Sequence, residues 1–182
     1  MNKLTVEELD RLSSEEYKSC VKLPVVVVLD NVRSMYNIGS VFRTCDSFRI
    51  EKIFLCGITA TPDRCRAEIH KTALGAENTV EWEYSVNTCD VVEKLRKENY
   101  CIVAVEQVHE SRKLDSFTIK KGKYALFFGN EVKGVDQKIV DECEFSLEIP
   151  QYGTKHSLNV SVSAGIVLWE FARQLAIEYL SE

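Results

Sequence analysis

A run of four valines in the segment PVVVVLD, at residues 24–30, constrains the fold of this chain more than any other feature. A continuous β-branched run is typical of a strand covered on both faces, as the strands of parallel sheets are. Five further strand-like segments follow along the chain: EKIFLCG, TVEWEY, YCIVAVEQ, KYALFFG and FSLEIP. Helix-like patterns separate them, and this alternation predicts an α/β fold with a mostly parallel, six-stranded sheet covered by helices.

The segments between the strands, and both ends of the chain, have helical spacing. Thr5-Val6-Glu7-Glu8 has the spacing of a capping box and predicts one short amphipathic helix that ends before Pro24. Asn31 to Asn37 is predicted to be a polar loop. The remaining helices are predicted at residues 38–48, 63–75, 86–99 and 135–143, and from Leu158 to about Tyr179. We expect one domain over residues 1–182, with residues 1–24 as a short helical extension.

Composition supports one folded domain. The chain has 182 residues, of which 45% are hydrophobic and 28% charged, so it can bury a full core and is not typical of disorder. The first residues contain no apolar signal core, and no apolar run approaches the roughly 20 residues of a membrane span. We therefore expect a soluble, cytoplasmic protein without a membrane partner.

The seven cysteines are typical of reduced, buried thiols in a cytosolic protein. Their number is odd, and no two have the C-x-x-C spacing of a zinc site. The three histidines do not supply the missing ligands, so no metal is expected.

The net charge of −5 argues against a protein that coats nucleic acid by bulk electrostatics. A local basic site remains open, because the stretch from Arg33 to Lys71 is more basic than acidic. On charge alone, an ordinary solvated surface is the favoured interpretation of that stretch.

Motifs of several common α/β enzymes are absent from the sequence. There is no G-x-G-x-x-G after the first strand, no P-loop and no G-x-S-x-G nucleophile elbow. Ligands of parallel sheets bind beyond the carboxyl ends of the strands. The relevant loops should follow Asp30, Gly57, Glu106, Gly129 and Pro150.

Three segments carry a family resemblance. They read NVRSMYNIGSVFRTCDSFRIEKIFLCG at residues 31–57, ALFFGNEVKGVDQKIVDECEFSLEIPQYG at residues 125–153 and KHSLNVSVSAGIVLWEFARQ at residues 155–174. In this order they resemble the three signature motifs of the SpoU family of RNA 2′-O-ribose methyltransferases, in the SPOUT superfamily. The resemblance covers nearly all of residues 25–175. One departure is Val132, at a position where glycine is common.

The resemblance implies an α/β fold whose C-terminal segment forms a deep trefoil knot. It also implies a homodimer with the active site near the subunit interface, and S-adenosylmethionine as cofactor. The cofactor's adenosine is expected against the backbone near Val105, Gly129, Ile149, Ser157 and Leu158. A glycine at 129 can adopt unusual dihedral angles and let a ligand approach the backbone, although a plain strand-to-loop glycine is the alternative.

The resemblance assigns Arg43, Asn37, Glu131, Ser157 and Asn159 to catalysis. Each has an ordinary alternative: helix capping for the serine and both asparagines, a surface salt bridge for the arginine, and solvation for the glutamate. In the family interpretation the glutamate fixes the arginine or an asparagine. Because a guanidinium keeps its proton, we expect the arginine to hold a phosphate and stabilise charge. The base is then a phosphate oxygen or water.

The RNA contacts are predicted within the catalytic domain, because only about 24 residues precede the first strand and leave no room for an added RNA-binding domain. The candidates are Arg33, Arg64, Arg66 and Lys71, with Lys120, Lys121 and Lys123 less favoured. The motif spellings look most like members that methylate guanosine in the tRNA D-loop. Ribosomal RNA and the tRNA wobble position remain alternatives, as do an inactive RNA-binding homologue and an unrelated small-molecule enzyme.

Overall fold

The computed structural model describes residues 2–5 and 7–180, so Val6 of the predicted capping box lies outside the described residues. The helices are α1 (Ser14–Ser19), α2 (Met35–Ser47), α3 (Pro62–Ala73), α4 (Thr88–Lys97), α5 (Gln137–Val140) and α6 (Val160–Tyr179). The strands are β1 (Leu23–Asp30), β2 (Ile50–Cys56), β3 (Trp82–Ser85), β4 (Tyr100–Val105), β5 (Arg112–Lys113), β6 (Lys123–Phe128) and β7 (Phe145–Glu148). Short 3₁₀ helices lie at Glu7–Leu9, Ala76–Asn78 and Leu114–Ser116.

The strands form one parallel sheet in the order β3-β2-β1-β6-β4-β7-β5. The predicted α/β class is confirmed, but the predicted count of six strands is wrong because the sheet has seven. The missed strand, β5, contains only Arg112 and Lys113, which pair with Leu147 and Glu148 of β7. Two charged residues form neither an apolar run nor an alternation of apolar and polar residues, so no pattern in the sequence indicates a strand there.

The valine run is buried on both faces of the sheet, as predicted. Val25 and Val27 belong to the core cluster on one face, and Val26 and Val28 to the cluster on the other. β1 pairs with β2 on one side and β6 on the other, which places it inside the sheet.

One helix among the described residues, α6, is long enough and apolar enough to span a membrane, judged by length and composition alone. Its packing indicates a core helix, since it contacts α2 and β1 and one side of it is buried. The buried side chains are Val160, Ala164, Val167, Leu168, Phe171, Ala172 and Leu175.

The N-terminal segment forms two short helices instead of the one that was predicted. The capping contacts are present, because the Thr5 amide donates to Glu8 Oε2 at 2.7 Å and the Glu8 amide donates to Thr5 Oγ1 at 3.3 Å. This turn ends at Asp10, whose φ of 45° is left-handed. A second capping box, between Ser13 and Glu16, then starts α1. The second box is visible in the sequence and is the signal for the break.

The helix predicted at residues 135–143 is only the short α5. The Val135 amide is taken by the Glu106 carboxylate at 3.0 Å, and the Asp136 side chain caps the helix by accepting from the Lys138 amide at 3.0 Å. The helix therefore begins two residues later than the apolar spacing indicates.

Helices α2 and α3 cross closely at Gly39. A Cβ at this position would lie 2.3 Å from the Ile69 carbonyl oxygen and 2.2 Å from Thr72 Oγ1. Thr72 Oγ1 also donates to the Tyr36 carbonyl at 2.9 Å, which ties α3 to the first turn of α2. The glycine thus sets the position of the helix that begins beside the candidate active site.

Gly39→Ala should lower the free energy of unfolding by about 2 kcal/mol, because the new methyl meets a backbone oxygen that cannot move without separating the helices. Urea denaturation of the variant and the wild type measures the change. Ser40→Ala, at the next position of the same helix, should change stability by less than about 0.5 kcal/mol. Equal stabilities for the Gly39 variant and the wild type would contradict the close crossing.

Candidate active site

A pocket of about 550 Å³ lies at the carboxyl ends of β4, β6 and β7. It is lined by residues after Val105, Phe128 and Glu148, so three of the five predicted loops contribute to it. All five residues predicted to hold the cofactor line this one pocket: Val105, Gly129, Ile149, Ser157 and Leu158. The structure thus brings these residues together, although they come from segments up to 53 positions apart in the sequence.

The pocket is lined by apolar and polar side chains in about equal number. Its apolar surface includes Val105, Phe128, Val140, Leu147, Ile149 and Leu158. Its polar side chains include Glu106, Gln107, Asn130, Gln137 and Ser157. A ligand that has a flat heterocycle with polar edges and further polar groups fits such a lining. A small-molecule or nucleoside ligand is therefore the chemistry this pocket accepts.

The backbone of the following loop leaves room only for glycine at position 129. A Cβ at this position would lie 2.0 Å from the Gly134 carbonyl carbon and 2.0 Å from the Val135 nitrogen. Gly129 is not among the glycines with positive φ, so the predicted unusual dihedral angle is wrong. Its small size lets the following loop return against β6 while its backbone still borders the pocket.

The loop from Asn130 to Gly134 is closed by a pair of main-chain hydrogen bonds, each 2.9 Å long. Asn130 Oδ1 accepts from the amides of Val132 and Lys133 at 3.0 and 3.1 Å. Its Nδ2 donates to the Asn31 carbonyl at 2.8 Å, which joins the loop to the segment after β1. Our prediction of site residues missed Asn130; its place directly before Glu131 was the available signal.

Glu131 binds the start of α2. Its Oε2 accepts from the Arg33 amide at 3.0 Å, and its Oε1 accepts from the Ser34 amide at 2.9 Å and from Asn37 Nδ2 at 3.0 Å. Partial burial raises the pKa of the Glu131 carboxyl, but these hydrogen bonds outweigh it and leave the pKa below its usual value. The carboxylate is therefore held ionised as an acceptor, and it fixes Asn37, one of the two partners that were predicted.

Asn37 links Glu131 to the third motif segment. Its Oδ1 accepts from Asn159 Nδ2 at 3.1 Å. Asn159 is also the N-cap of α6 and accepts from the Ser161 amide at 2.9 Å, so its predicted capping role coexists with this contact. Asn37 is not a cap, because α2 begins at Met35 with Ser34 as its N-cap. The polar loop predicted to run to residue 37 is accordingly too long.

Arg43 and Ser157 lie outside this network. The Arg43 side chain is exposed on α2 and makes no hydrogen bond or ion pair with the part of the chain that the structure describes. The alternative of a surface salt bridge thus finds no acidic partner in those residues. Ser157 is exposed and borders the pocket without capping α6.

The four predicted RNA contacts divide into two pairs. Arg33 lies at the start of α2 beside Glu131, and Lys71 Nζ lies 5.8 Å from the centre of the Tyr36 ring in the same region. Arg64 lies 5.8 Å from the Tyr84 ring centre, and Arg66 donates to Asn78 Oδ1 at 3.0 Å. The first pair therefore borders the polar network, whereas the second pair faces β3 and the turn before it.

The chain matches the sequence model of a family described as the SpoU rRNA Methylase family over residues 24–169. The chain belongs to this family. The matched range includes Arg43, Asn37, Glu131 and Asn159, and with them the polar network described above.

Three similar proteins illustrate the range of the family. A 23S rRNA (guanosine-2′-O-)-methyltransferase RlmB of Nitrosomonas europaea is 32% identical over 155 residues, which cover 82% of this chain and 56% of that protein. An AdoMet-bound rRNA methyltransferase structure from Sinorhizobium meliloti has a TM-score of 0.76 at 29% identity, covering 83% of this chain and 56% of the other. A TrmH/SpoU tRNA modifying enzyme of A. aeolicus has a TM-score of 0.77 at 25% identity, covering 91% and 82%. This chain spans less than two thirds of the first two proteins.

Glu131→Gln should lower the free energy of unfolding by about 1 kcal/mol at pH 7, a value kept small by solvent screening of an exposed carboxylate. A carboxyl group with a lowered pKa stabilises the fold above its unfolded pKa of about 4.3 and loses this effect as the pH falls through the folded value. The difference between wild type and variant should therefore shrink as the pH falls below about 4.3. Denaturation curves measured between pH 3 and pH 7 give this difference.

Glu68→Gln, on the surface of α3, is the matched control and should show no such pH-dependent difference. A difference between wild type and Glu131→Gln that stays constant from pH 7 to pH 3 would show that the ionised carboxylate does not stabilise the start of α2.

Proposed function

We propose that this protein transfers a methyl group from S-adenosylmethionine to a ribose 2′-hydroxyl of RNA. The observation that carries the proposal is the network of Glu131, Asn37 and Asn159, which joins the three motif segments beside the pocket. The chain's membership of the SpoU rRNA Methylase family supports the same activity.

The pocket suits the proposed cofactor. Adenine favours flat apolar walls, while main-chain groups can bind its polar edge, and the residues around Gly129 and Ile149 offer both. The Sinorhizobium meliloti neighbour is described as AdoMet bound. When bound, S-adenosylmethionine supplies an activated methyl group on a sulfonium, and the protein's task is alignment and exclusion of water.

Arg43 and Glu131 take different parts in this mechanism. A ribose hydroxyl attacks only as its proton leaves, so the site needs a base or a strong orienting field. Glu131 already accepts three hydrogen bonds and has a lowered pKa, which makes it a poor base and a good support for Asn37. Arg43, which keeps its proton, holds a phosphate and stabilises developing charge. A phosphate oxygen or water then accepts the proton.

We favour tRNA, with guanosine as the modified nucleotide, over ribosomal RNA. The support is the similarity of residues 103–117 and of the second and third motifs to tRNA-methylating members, and the A. aeolicus neighbour is a tRNA modifying enzyme. The Nitrosomonas europaea relative acts on 23S rRNA, which keeps ribosomal RNA as the second candidate. Binding through Arg33, Arg64, Arg66 and Lys71 should be modest and sensitive to salt, because the chain has a net charge of −5.

We infer a C-terminal trefoil knot. The segment between β4 and β6 lies against the chain that leads into and along α6, which supports threading. Gln107 Nε2 donates to the His156 carbonyl at 2.7 Å, and Gln174 Oε1 accepts from the Ile119 amide at 2.8 Å. Threaded chains are rare in general. Because the family resemblance implies a knotted fold, we take these contacts as support for a knot.

We also propose that the protein works as a homodimer through α6. The solvent side of this helix has an apolar stripe at helical spacing, formed by Val162, Ile166, Trp169 and Ile177, which are 38% to 78% exposed. Trp169 packs on Phe48 with ring centres 5.9 Å apart, so the stripe extends onto the end of α2. An exposed apolar stripe of this kind is typical of a protein interface. Arg43 lies on α2 as well, and a second copy at this face would complete the site around it.

Trp169→Glu should convert a dimer into single chains of 20.8 kDa, because a charge cannot be buried without a partner at the centre of an apolar contact. Sedimentation equilibrium measures the mass, and circular dichroism checks that the variant is folded. Val86→Glu is the matched control, since Val86 is 79% exposed in the loop after β3. A wild-type chain that sediments as a monomer would rule out the dimer.

The test of the proposed function is transfer of radiolabelled methyl from S-adenosylmethionine to unmodified tRNA and rRNA in parallel, followed by nuclease mapping. We expect label in a 2′-O-methyl nucleotide of tRNA. Label in rRNA alone would move the substrate to the second candidate. Cofactor binding without transfer to either RNA would favour a catalytically inactive, RNA-binding homologue, and no cofactor binding would contradict the proposal.

In the same assay, Arg43→Ala should reduce methyl transfer by at least about 100-fold, because the group that holds the phosphate and stabilises charge is lost. Its affinity for S-adenosylhomocysteine should stay within about twofold of wild type, since Arg43 does not line the pocket. Arg11→Ala, outside the matched range, is the control for loss of a positive charge. Near-full activity of the Arg43 variant would show that the role assigned to this arginine is wrong.

A further inference from the structure

A second carboxylate in the pocket, that of Glu106, has no part in the polar network described above. It follows Val105 at the end of β4, is half-buried and lines the pocket. Its Oε1 accepts from the Gln107 amide at 2.8 Å, and its Oε2 accepts from the Val135 amide at 3.0 Å. Both oxygens are thus fixed by main-chain groups, one directly after β4 and one after the loop that follows β6.

The fold makes room for this carboxylate. Gly134 has a φ of +71°, and a Cβ there would lie 2.2 Å from Glu106 Oε2. Any larger residue at 134 would displace the carboxylate or strain the backbone. The loop after β6 is therefore shaped around the Glu106 side chain.

The fixed carboxylate still has hydrogen-bonding capacity. Each carboxylate oxygen can accept about two hydrogen bonds, and each oxygen of Glu106 accepts one from the described residues. No lysine, arginine or histidine among those residues forms an ion pair with it. Two acceptor positions are therefore available on a half-buried anion that borders the pocket.

We propose that Glu106 binds the two ribose hydroxyls of the cofactor. A vicinal diol presents two donors side by side, which matches two free acceptor positions on one carboxylate. The position beside Val105, where the adenosine is expected, places the carboxylate near the nucleoside part of the ligand. Carboxylates at strand ends bind ribose hydroxyls in other α/β folds by the same chemistry. This inference rests on the proposed cofactor.

A third acidic side chain that lines this pocket, Glu148, already has partners. Glu148 accepts from Lys113 Nζ at 2.6 Å and from Ser111 Oγ at 2.5 Å, and its pKa is lowered by these two hydrogen bonds. Since Lys113 neutralises this carboxylate, Glu148 serves as a matched control for a change of charge in the pocket.

Titration calorimetry of the wild type, Glu106→Gln and Glu148→Gln with three ligands tests the proposal. S-adenosylhomocysteine carries the whole nucleoside and the amino acid, 5′-methylthioadenosine lacks the amino acid, and 5′-methylthio-2′,3′-dideoxyadenosine also lacks both ribose hydroxyls. Glu106→Gln should lower the affinity for the first two ligands by about tenfold, because a charge-assisted acceptor is lost. It should change the affinity for the third ligand by less than about twofold. Glu148→Gln should not discriminate among the three.

The alternatives give different patterns. Equal weakening of all three ligands by Glu106→Gln would mean that the carboxylate only holds the loop, and would overturn the ribose contact. Weakening of S-adenosylhomocysteine alone would assign Glu106 to the amino group and overturn the proposal as well, as would unchanged affinity for every ligand. If the wild type binds none of the three, the proposed function fails together with this inference, whereas failure of the inference alone leaves wild-type binding intact.

Discussion

The contact between the Glu131 carboxylate and the start of α2 supports the polar network of the candidate site. It fixes the loop after β6 to the segment after β1, and Asn130 reinforces the same junction through the Asn31 carbonyl. Through Asn37 it reaches Asn159 and the start of α6. Three segments distant in sequence are therefore held in one geometry by hydrogen bonds that centre on a single ionised group. Such preorganisation reduces the ordering that binding would otherwise require.

Much of the fold follows from patterns within single segments. The valines of β1 predict a doubly covered strand because burial on both faces leaves no polar alternation, and they are buried in both core clusters. Features that depend on contacts between segments were not predictable in this way. The strand β5 exists because Arg112 and Lys113 pair with β7, and the late start of α5 follows from the bond between Val135 and Glu106. Neither contact leaves a periodic signal in its own segment.

The candidate site was likewise predictable in its residue types but not in the contacts between its segments. Residue types and order were sufficient for a family resemblance, and the five residues expected at the cofactor line one pocket. The physical reasons why particular residues occupy the site were harder to predict. Gly129 looks like a site of ligand approach, but a Cβ there would collide with Gly134 and Val135 of the returning chain. Asn37 looks like a helix cap, yet Ser34 caps α2. The contacts of Glu106 and Asn130 could not be read from the sequence, because their partners lie 29 and 99 positions away.

The arrangement at the start of α2 also determines how a polyanion can be recognised. The free amides and positive end of a helix N-terminus form a natural anion site, which many proteins use to hold phosphate. Here the amides of Arg33 and Ser34 are already saturated by the protein's own carboxylate. A phosphodiester approaching this edge meets a carboxylate that already occupies two of the amides there. For the proposed RNA substrate, contact with the backbone would therefore depend on long cationic side chains more than on rigid main-chain groups, and such side chains adapt to the path of a strand.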